Sequence, residues 1–213
     1  MKIIYRDSDI IVCIKPPRVL STDEPGGLPD MLREELGDKN ADIRTVHRLD
    51  RVVSGLMVLA CNHSAASVLS RQIRDGSFRK IYLAAVHGET QDNGQLKDLM
   101  YRDKARKMSF VTDVPSKETR EAILNFETLD RNENKSLVAV ELITGRTHQI
   151  RCQFASHGFP LVGERKYSEL NDPCELALFS TEIGFSHPKT GEYLSFSEKP
   201  SEIYPWNLFK INS

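Results

Sequence analysis

The apolar residues of this chain fall into short blocks with two different periods. "DIIVCIK" is a β-branched run closed by Pro16 and Pro17, which predicts a strand followed by a loop. "GLPDMLREEL" sets Leu28, Met31, Leu32 and Leu36 at helical spacing, with Gly37 as the stop. "SGLMVLA" is a compact apolar run after a Ser-Gly turn and reads as a buried strand. Asn62 then caps a helix through "HSAASVLSRQIRDG", in which Ala65, Leu69 and Ile73 share a face and Gly76 ends the run. "RKIYLAAVHG" reads as a strand, and residues 91–117 as polar loops with a short hairpin. "REAILNFETL" alternates, and "KSLVAVELIT" follows it across the turn-rich "DRNENK", so these two strands are expected to pair antiparallel. "THQIRCQFASHG" predicts a short helix stopped by Gly158, and "ELALFSTEIGF" and "EYLSFSE" two more strands. No repeat, low-complexity tract or linker divides the chain. The expectation is one α+β domain over residues 1–213, a mostly antiparallel mixed β-sheet with short flanking helices.

Composition narrows the class. With 39% hydrophobic and 28% charged residues in 213, the chain is globular in composition and long enough for a real core. No apolar run approaches a membrane span, and Arg6, Asp7 and Asp9 break up the N-terminal stretch, so no signal peptide is read there. Cys13, Cys61, Cys152 and Cys174 are scattered without a CxxC pair, against a zinc ribbon or redox motif. Cys13 and Cys61 lie in apolar runs, as buried thiols of a reducing cytosol would.

The net charge of −1 hides an uneven distribution. Between Arg44 and Lys80, Arg44, Arg48, Arg51, Arg71, Arg74, Arg79 and Lys80 face only Asp50 and Asp75. The stretches Lys97–Lys107 and Arg146–Lys166 are also basic. If these segments converge, one face is positive and suits a polyanion; if they scatter, the charge is ordinary solvated surface.

Three stretches carry candidate chemistry. In "VHRLDRVVSG", Asp50 stands between Arg48 and Arg51 at the edge of an apolar run. A carboxylate near arginine stays ionised, so it suits a nucleophile or a stabiliser of positive charge rather than a general acid. The plain alternative is a cap or surface ion pair worth about 0–1 kcal/mol. In "LITGRTHQIRCQFASHG", Gly145 permits a turn and Thr147 is expected to cap the helix. Arg146 lies just before that helix, and Arg151 one turn inside it on the face of His148. Arg151 either pairs with a buried acid or faces solvent. In "RKIYLAAVHG", Tyr82 is either a core tyrosine with its hydroxyl bonded or a ring stacked on a nucleobase.

Taken in order, "HRLDRVVSG", "RKIYLAAVHG" and "TGRTHQIRCQFASHGFPLVGERKY" resemble the three motifs of the RluA-type pseudouridine synthases, and the likeness runs from "IIYRDSDIIVCIKPP" to about Pro200. The resemblance implies the pseudouridine synthase fold and a site in which Asp50 is the catalytic residue. Tyr82 lines the uracil pocket and is a proposed base, and Arg151 ion-pairs with Asp50. Arg48 helps to flip the target nucleotide, and Arg51, Arg146 and His148 face RNA. Asp50 then either attacks the ribose carbon or assists its deprotonation. The product is an isomer, so the resemblance implies no cofactor and no metal; the expected partner is tRNA or rRNA, met by a cytoplasmic monomer. No room precedes Ile3 for the small S4-type domain of some relatives, so the catalytic domain itself is expected to recognise RNA. Val53, Cys152, Gln153, Phe159 and Glu164 depart from the usual motif residues and bear on which substrate is taken. The rival readings are a non-catalytic RNA-binding module on the same scaffold, and a hydrolase of N-glycosidic bonds. The second would need another carboxylate, and none stands beside Asp50 in these motifs.

Overall fold

The computed structural model describes residues 1–211, among which are eleven strands and three α-helices. The chain forms two compact units: Met1–Lys80 with Phe179–Lys199, and Ile81–Leu178 with the stretch from Pro200.

The first unit holds β1 (Ile3–Arg6), β2 (Ile10–Lys15), α1 (Leu28–Leu36), β3 (Arg44–Thr45), β4 (Ser54–Ala60) and α2 (His63–Asp75), together with most of β10 (Leu178–Ser186) and all of β11 (Tyr193–Ser197). Its strands run in the order β1-β2-β4-β10-β11, with β3 also on β4. All pairs are antiparallel except β4 with β10. β2 and β4 are buried almost throughout, which is why they read as unbroken apolar runs rather than alternating ones. Ile10, Val12, Leu56, Val58, Leu69, Ile183 and Phe185 form their core.

Both predicted helices of this unit are present with their expected stops. α1 ends at Gly37, whose φ of 66° is the left-handed stop that glycine adopts most readily. α2 begins at Asn62, whose side chain accepts the Ala65 N–H, and ends at Gly76. Ala65 and Leu69 are buried in the core with Ile73 packed partly buried against it, as expected, and Gln72 is buried beside them. The Gln72 amide completes two backbone bonds of β10, donating to Ser186 O and accepting from Ser186 N–H, each at 2.8 Å.

The second unit holds β5 (Arg79–His87) from Ile81 onward, β6 (Asn93–Asp103), β7 (Met108–Thr112), β8 (Arg120–Asn132), β9 (Lys135–Leu142) and α3 (Gln149–Ser156). The strand order is β5-β9-β8-β6-β7, antiparallel throughout. The β8–β9 hairpin turns through Glu133 and Asn134, both at positive φ, so the expected antiparallel pair is present. One expectation is met in part and one fails. The short hairpin expected within residues 91–117 is present, pairing Leu99 to Asp103 with Thr112 to Met108, but β6 starts already at Asn93 and pairs with β8 where loop was expected. Its polar positions include Asp98. That carboxylate accepts from the Gln153 amide at 2.7 Å and from His157, so polarity marks no exposed side there. Thr147 does not cap α3: His148 occupies the N-cap at φ 56°, and the Gln149 side chain instead accepts the Arg146 N–H at 2.9 Å. Of the two thiols expected to be buried, Cys13 is; Cys61 is half-exposed.

The parallel contact of β4 with β10 depends on one glycine. Gly55 sits at φ 122°, opposite Lys15 on one side and Ser180 on the other, and a Cβ there would meet Ser180 N and O at 2.4 Å. Neither backbone can withdraw without breaking the ladder. Gly55→Ala should therefore cost about 2 kcal/mol or more of stability, read as a shifted midpoint in urea unfolding. An unchanged midpoint refutes this account of the β4–β10 approach.

Candidate active site

Every residue from His47 to Val53 is tied to the first unit or bounded by a residue that is. His47 Nε2 accepts the Val58 N–H at 3.1 Å, so the ring is neutral and carries its proton on Nδ1. Burial pushes its pKa down to about 3, and the charge of Lys80 acts in the same direction. Leu49 is buried, and Ser21 grips its peptide from both ends: Oγ donates to Leu49 O at 2.8 Å and accepts Leu49 N–H at 3.1 Å. The Val53 N–H returns to Asp50 O at 3.0 Å, closing a turn over Arg51 and Val52.

Asp50 is half-buried on this turn, and Arg48 and Arg51 beside it are exposed. Arg51 Nε donates to Arg18 O at 3.0 Å. A groove of about 670 Å³ is lined by Arg33, Arg44, His47 and Arg48 among others. Two of its arginines are matched by acids, Arg33 by Asp23 at 2.7 and 2.8 Å and Arg44 by Asp42 at 2.8 Å.

Lys15 is the residue that sequence reasoning missed. It is fully buried, and its ammonium donates to Pro16 O and Val19 O at 2.8 Å and to Arg51 O at 3.3 Å. Burial lowers its pKa to about 8, and the charge of Asp50 partly offsets that drop. The ammonium thus joins the loop after β2 to the turn that carries Asp50. The available signal was a lysine closing a buried strand directly before two prolines.

In the second unit, Tyr82 is buried on β5, opposite Val140 of β9. Arg146 is exposed and donates through Nε to Glu121 O at 2.8 Å. His148 is half-buried, with Nδ1 at 2.7 Å from the Tyr167 hydroxyl. It lies outside the helix in the left-handed region, so it does not share a helical face with Arg151 as expected. Arg151 is buried on α3, where its Nε and Nη2 donate to the two oxygens of Glu164, each at 2.7 Å. Glu164 is itself fully buried. Burial pushes its carboxyl upward, but the Arg151 bonds and charge, with the N–H groups of Lys166 and Arg165, hold it below the usual range. The departure at Glu164 is thus a residue that grips Arg151, a role that its motif position did not announce.

A third cluster, Asp7, Asp9 and His187, brings one possible metal-ligand atom from each residue within 4.8 Å of the others. Hydrogen bonds occupy it. His187 Nε2 lies 2.8 Å from Asp7 Oδ2, and its Nδ1 accepts the Lys189 and Thr190 N–H groups.

The family profile described as RNA pseudouridylate synthase matches residues 9–156. The chain is 34% identical over 208 residues to an RNA pseudouridine synthase, YlyB, of Bacillus subtilis, covering 92% of this chain and 68% of that one. It is 33% identical over 214 residues to the dual-specificity RNA pseudouridine synthase RluA of Vibrio parahaemolyticus, covering 95% and 84%. In fold it is similar to the human RNA pseudouridylate synthase domain containing 1, with a TM-score of 0.82 and 22% identity over 96% of this chain and 85% of that one.

His47 gives the site a measurable pH signature. The unfolded imidazole takes a proton below about 6.5, whereas the folded one does so only near 3. Unfolded chains therefore bind more protons in that window, and stability falls as pH falls through it. Between pH 6.5 and 5 the loss should be about 2 kcal/mol in urea titrations, and His47→Gln, which keeps an acceptor for Val58, should abolish it. An equal slope in the variant would refute the neutral assignment.

Proposed function

The chain belongs to the RNA pseudouridylate synthase family, and from that membership we propose that it isomerises specific uridines of tRNA or rRNA with Asp50 as the catalytic carboxylate. The carrying observation is the fastened His47–Val53 segment, which presents a half-buried acid beside a buried lysine and two exposed arginines. A carboxylate so placed can attack the ribose carbon or offset positive charge developing there, and either route needs an acid at this point.

In this reading the target uridine leaves its stack, at an expense of a few kcal/mol. Arg48 occupies its place, and Arg51, Arg146 and His148 meet the surrounding RNA. The bond from C1′ to N1 breaks, the uracil turns, and a bond from C1′ to C5 forms. The C5 proton departs, and N1 ends protonated. Tyr82 lines the base pocket and takes the C5 proton while its own phenolic proton passes to solvent, from which N1 is protonated, and Arg151 balances the charge of Asp50. Atoms and electrons balance with no redox partner, cofactor or metal. Residues 1–213 serve as one catalytic domain, acting as a monomer in the cytoplasm. Among the described residues no helix is long and apolar enough to cross a membrane. The Vibrio relative is named for dual specificity, which supports testing both tRNA and rRNA.

Asp50→Asn should keep its fold and RNA affinity while releasing no tritium above background from RNA labelled at uridine C5; undiminished release defeats the mechanism. Tyr82→Phe should bind RNA as the parent does and release tritium about 10²-fold more slowly, the low end for a lost general base. A parent-like rate removes Tyr82 from that role. Pseudouridine mapping of total RNA with and without the gene then names the uridine.

A further inference from the structure

The Arg151 guanidinium is confined on more than one side by a single short segment. Glu164 engages its Nε and Nη2 as a parallel fork, each at 2.7 Å, with both side chains at 5% exposure or less. The ring of Tyr167 lies 5.5 Å from Arg151 Cζ. Both groups are themselves held. Glu164 Oε1 also accepts the Arg165 N–H at 2.9 Å and the Lys166 N–H at 2.7 Å. The Tyr167 hydroxyl accepts the Ser109 N–H at 2.8 Å and meets His148 Nδ1 at 2.7 Å. Just before the fork, Gly163 at φ 79° donates its N–H to Asp172 at 2.7 Å, and a Cβ there would meet Glu175 O at 2.2 Å.

We propose that Glu164 is a positioning residue for the reaction: its two-point grip, with the Tyr167 ring as a wall, fixes the plane in which Arg151 presents its charge to the reacting site. This rests on the reading above, in which Arg151 serves the chemistry. A bidentate fork through Nε stops rotation about the last side-chain bonds, which a single contact does not do. A buried ion pair is seldom the most stable filling of its space, so stability alone does not account for this one. Displacing a charge by about 1 Å costs on the order of 10²-fold in rate, which sets the scale of the effect.

The test uses the full-length protein, with C5-tritiated total RNA from a strain lacking the gene as substrate. Glu164→Gln, which keeps shape but removes the charge, should lower kcat about 10²-fold with KM within threefold of the parent. Glu164→Asp, which restores the anion, should recover kcat to within about tenfold of the parent. The double variant with Arg151→Lys should be no slower than Arg151→Lys alone, since Glu164 acts only through Arg151. A parent-like kcat in Glu164→Gln, or additive losses in the double variant, overturns the positioning role. A slow Arg151→Lys beside a fast Glu164→Gln removes that role alone; a fast Arg151→Lys removes the reading beneath it. Because an uncovered buried guanidinium can unfold a variant, the parent protein supplies a second readout. Its Arg151 Nε–H should exchange with solvent at least about 10²-fold more slowly than that of exposed Arg48 by NMR. Equal exchange overturns the grip.

Discussion

A cation taken out of water is stable in a protein only where fixed dipoles or a counter-charge replace its lost hydration. The two units meet this constraint by different means. Lys15 is surrounded by three carbonyl oxygens. Three is the number of N–H groups an ammonium carries, so its donors are matched without neutralising its charge. Arg151 is met by a full carboxylate in fork geometry. Carbonyl dipoles hold the Lys15 ammonium, whereas the Glu164 carboxylate holds the Arg151 guanidinium by two of its donors. Burial still lowers the pKa of Lys15, whereas at Glu164 the Arg151 bonds and charge outweigh burial and hold the carboxyl low.

The local backbone follows from the same requirement. Three carbonyls can converge on one ammonium only where the chain leaves its strand and turns back, and Pro16 and Pro17 end β2 directly beyond Lys15. Arg51 contributes its carbonyl from the turn that Asp50 begins, so the catalytic candidate and the lysine cage share one piece of backbone. At α3 the helix starts from a left-handed His148, and the Gln149 side chain does the work of a cap. This leaves the His148 ring to reach Tyr167, and Tyr167 to stand against Arg151.

Strands and helices with a single apolar face or a continuous apolar run were legible in the sequence, because burial there is chemically uniform. β2, β4, α1 and α2 are of this kind. The part of β6 before Leu99 was not legible: its polar positions include Asp98, satisfied by Gln153 and His157 from α3 and its end, partners 55 and 59 residues away. The cap of α3 was misread for a related reason, since Gln149 reaches back to Arg146 and Thr144 from inside the helix. Among the candidate residues, motif order singled out Asp50, Tyr82 and Arg151, but not what holds Asp50 in its unit or Arg151 in the other. Lys15 read as the polar end of a strand, and Glu164 as a variant letter. Their roles lie in carbonyls and forks, which residue spacing does not encode.

The energetics also weigh on the choice between an enzyme and a binding scaffold. A surface that only bound RNA would need exposed cations, and Arg48, Arg51 and Arg146 provide them. It would gain nothing from a fully buried Lys15 whose proton is held less tightly than in water, nor from a Glu164 sealed against Arg151. Replacing such groups with apolar ones of similar volume is often neutral or stabilising. Their presence in both units is therefore better explained by a need for fixed charge at defined points than by folding. Fixed charge at defined points is what breaking and remaking a glycosidic bond asks of a protein, and what tethering a phosphate chain does not.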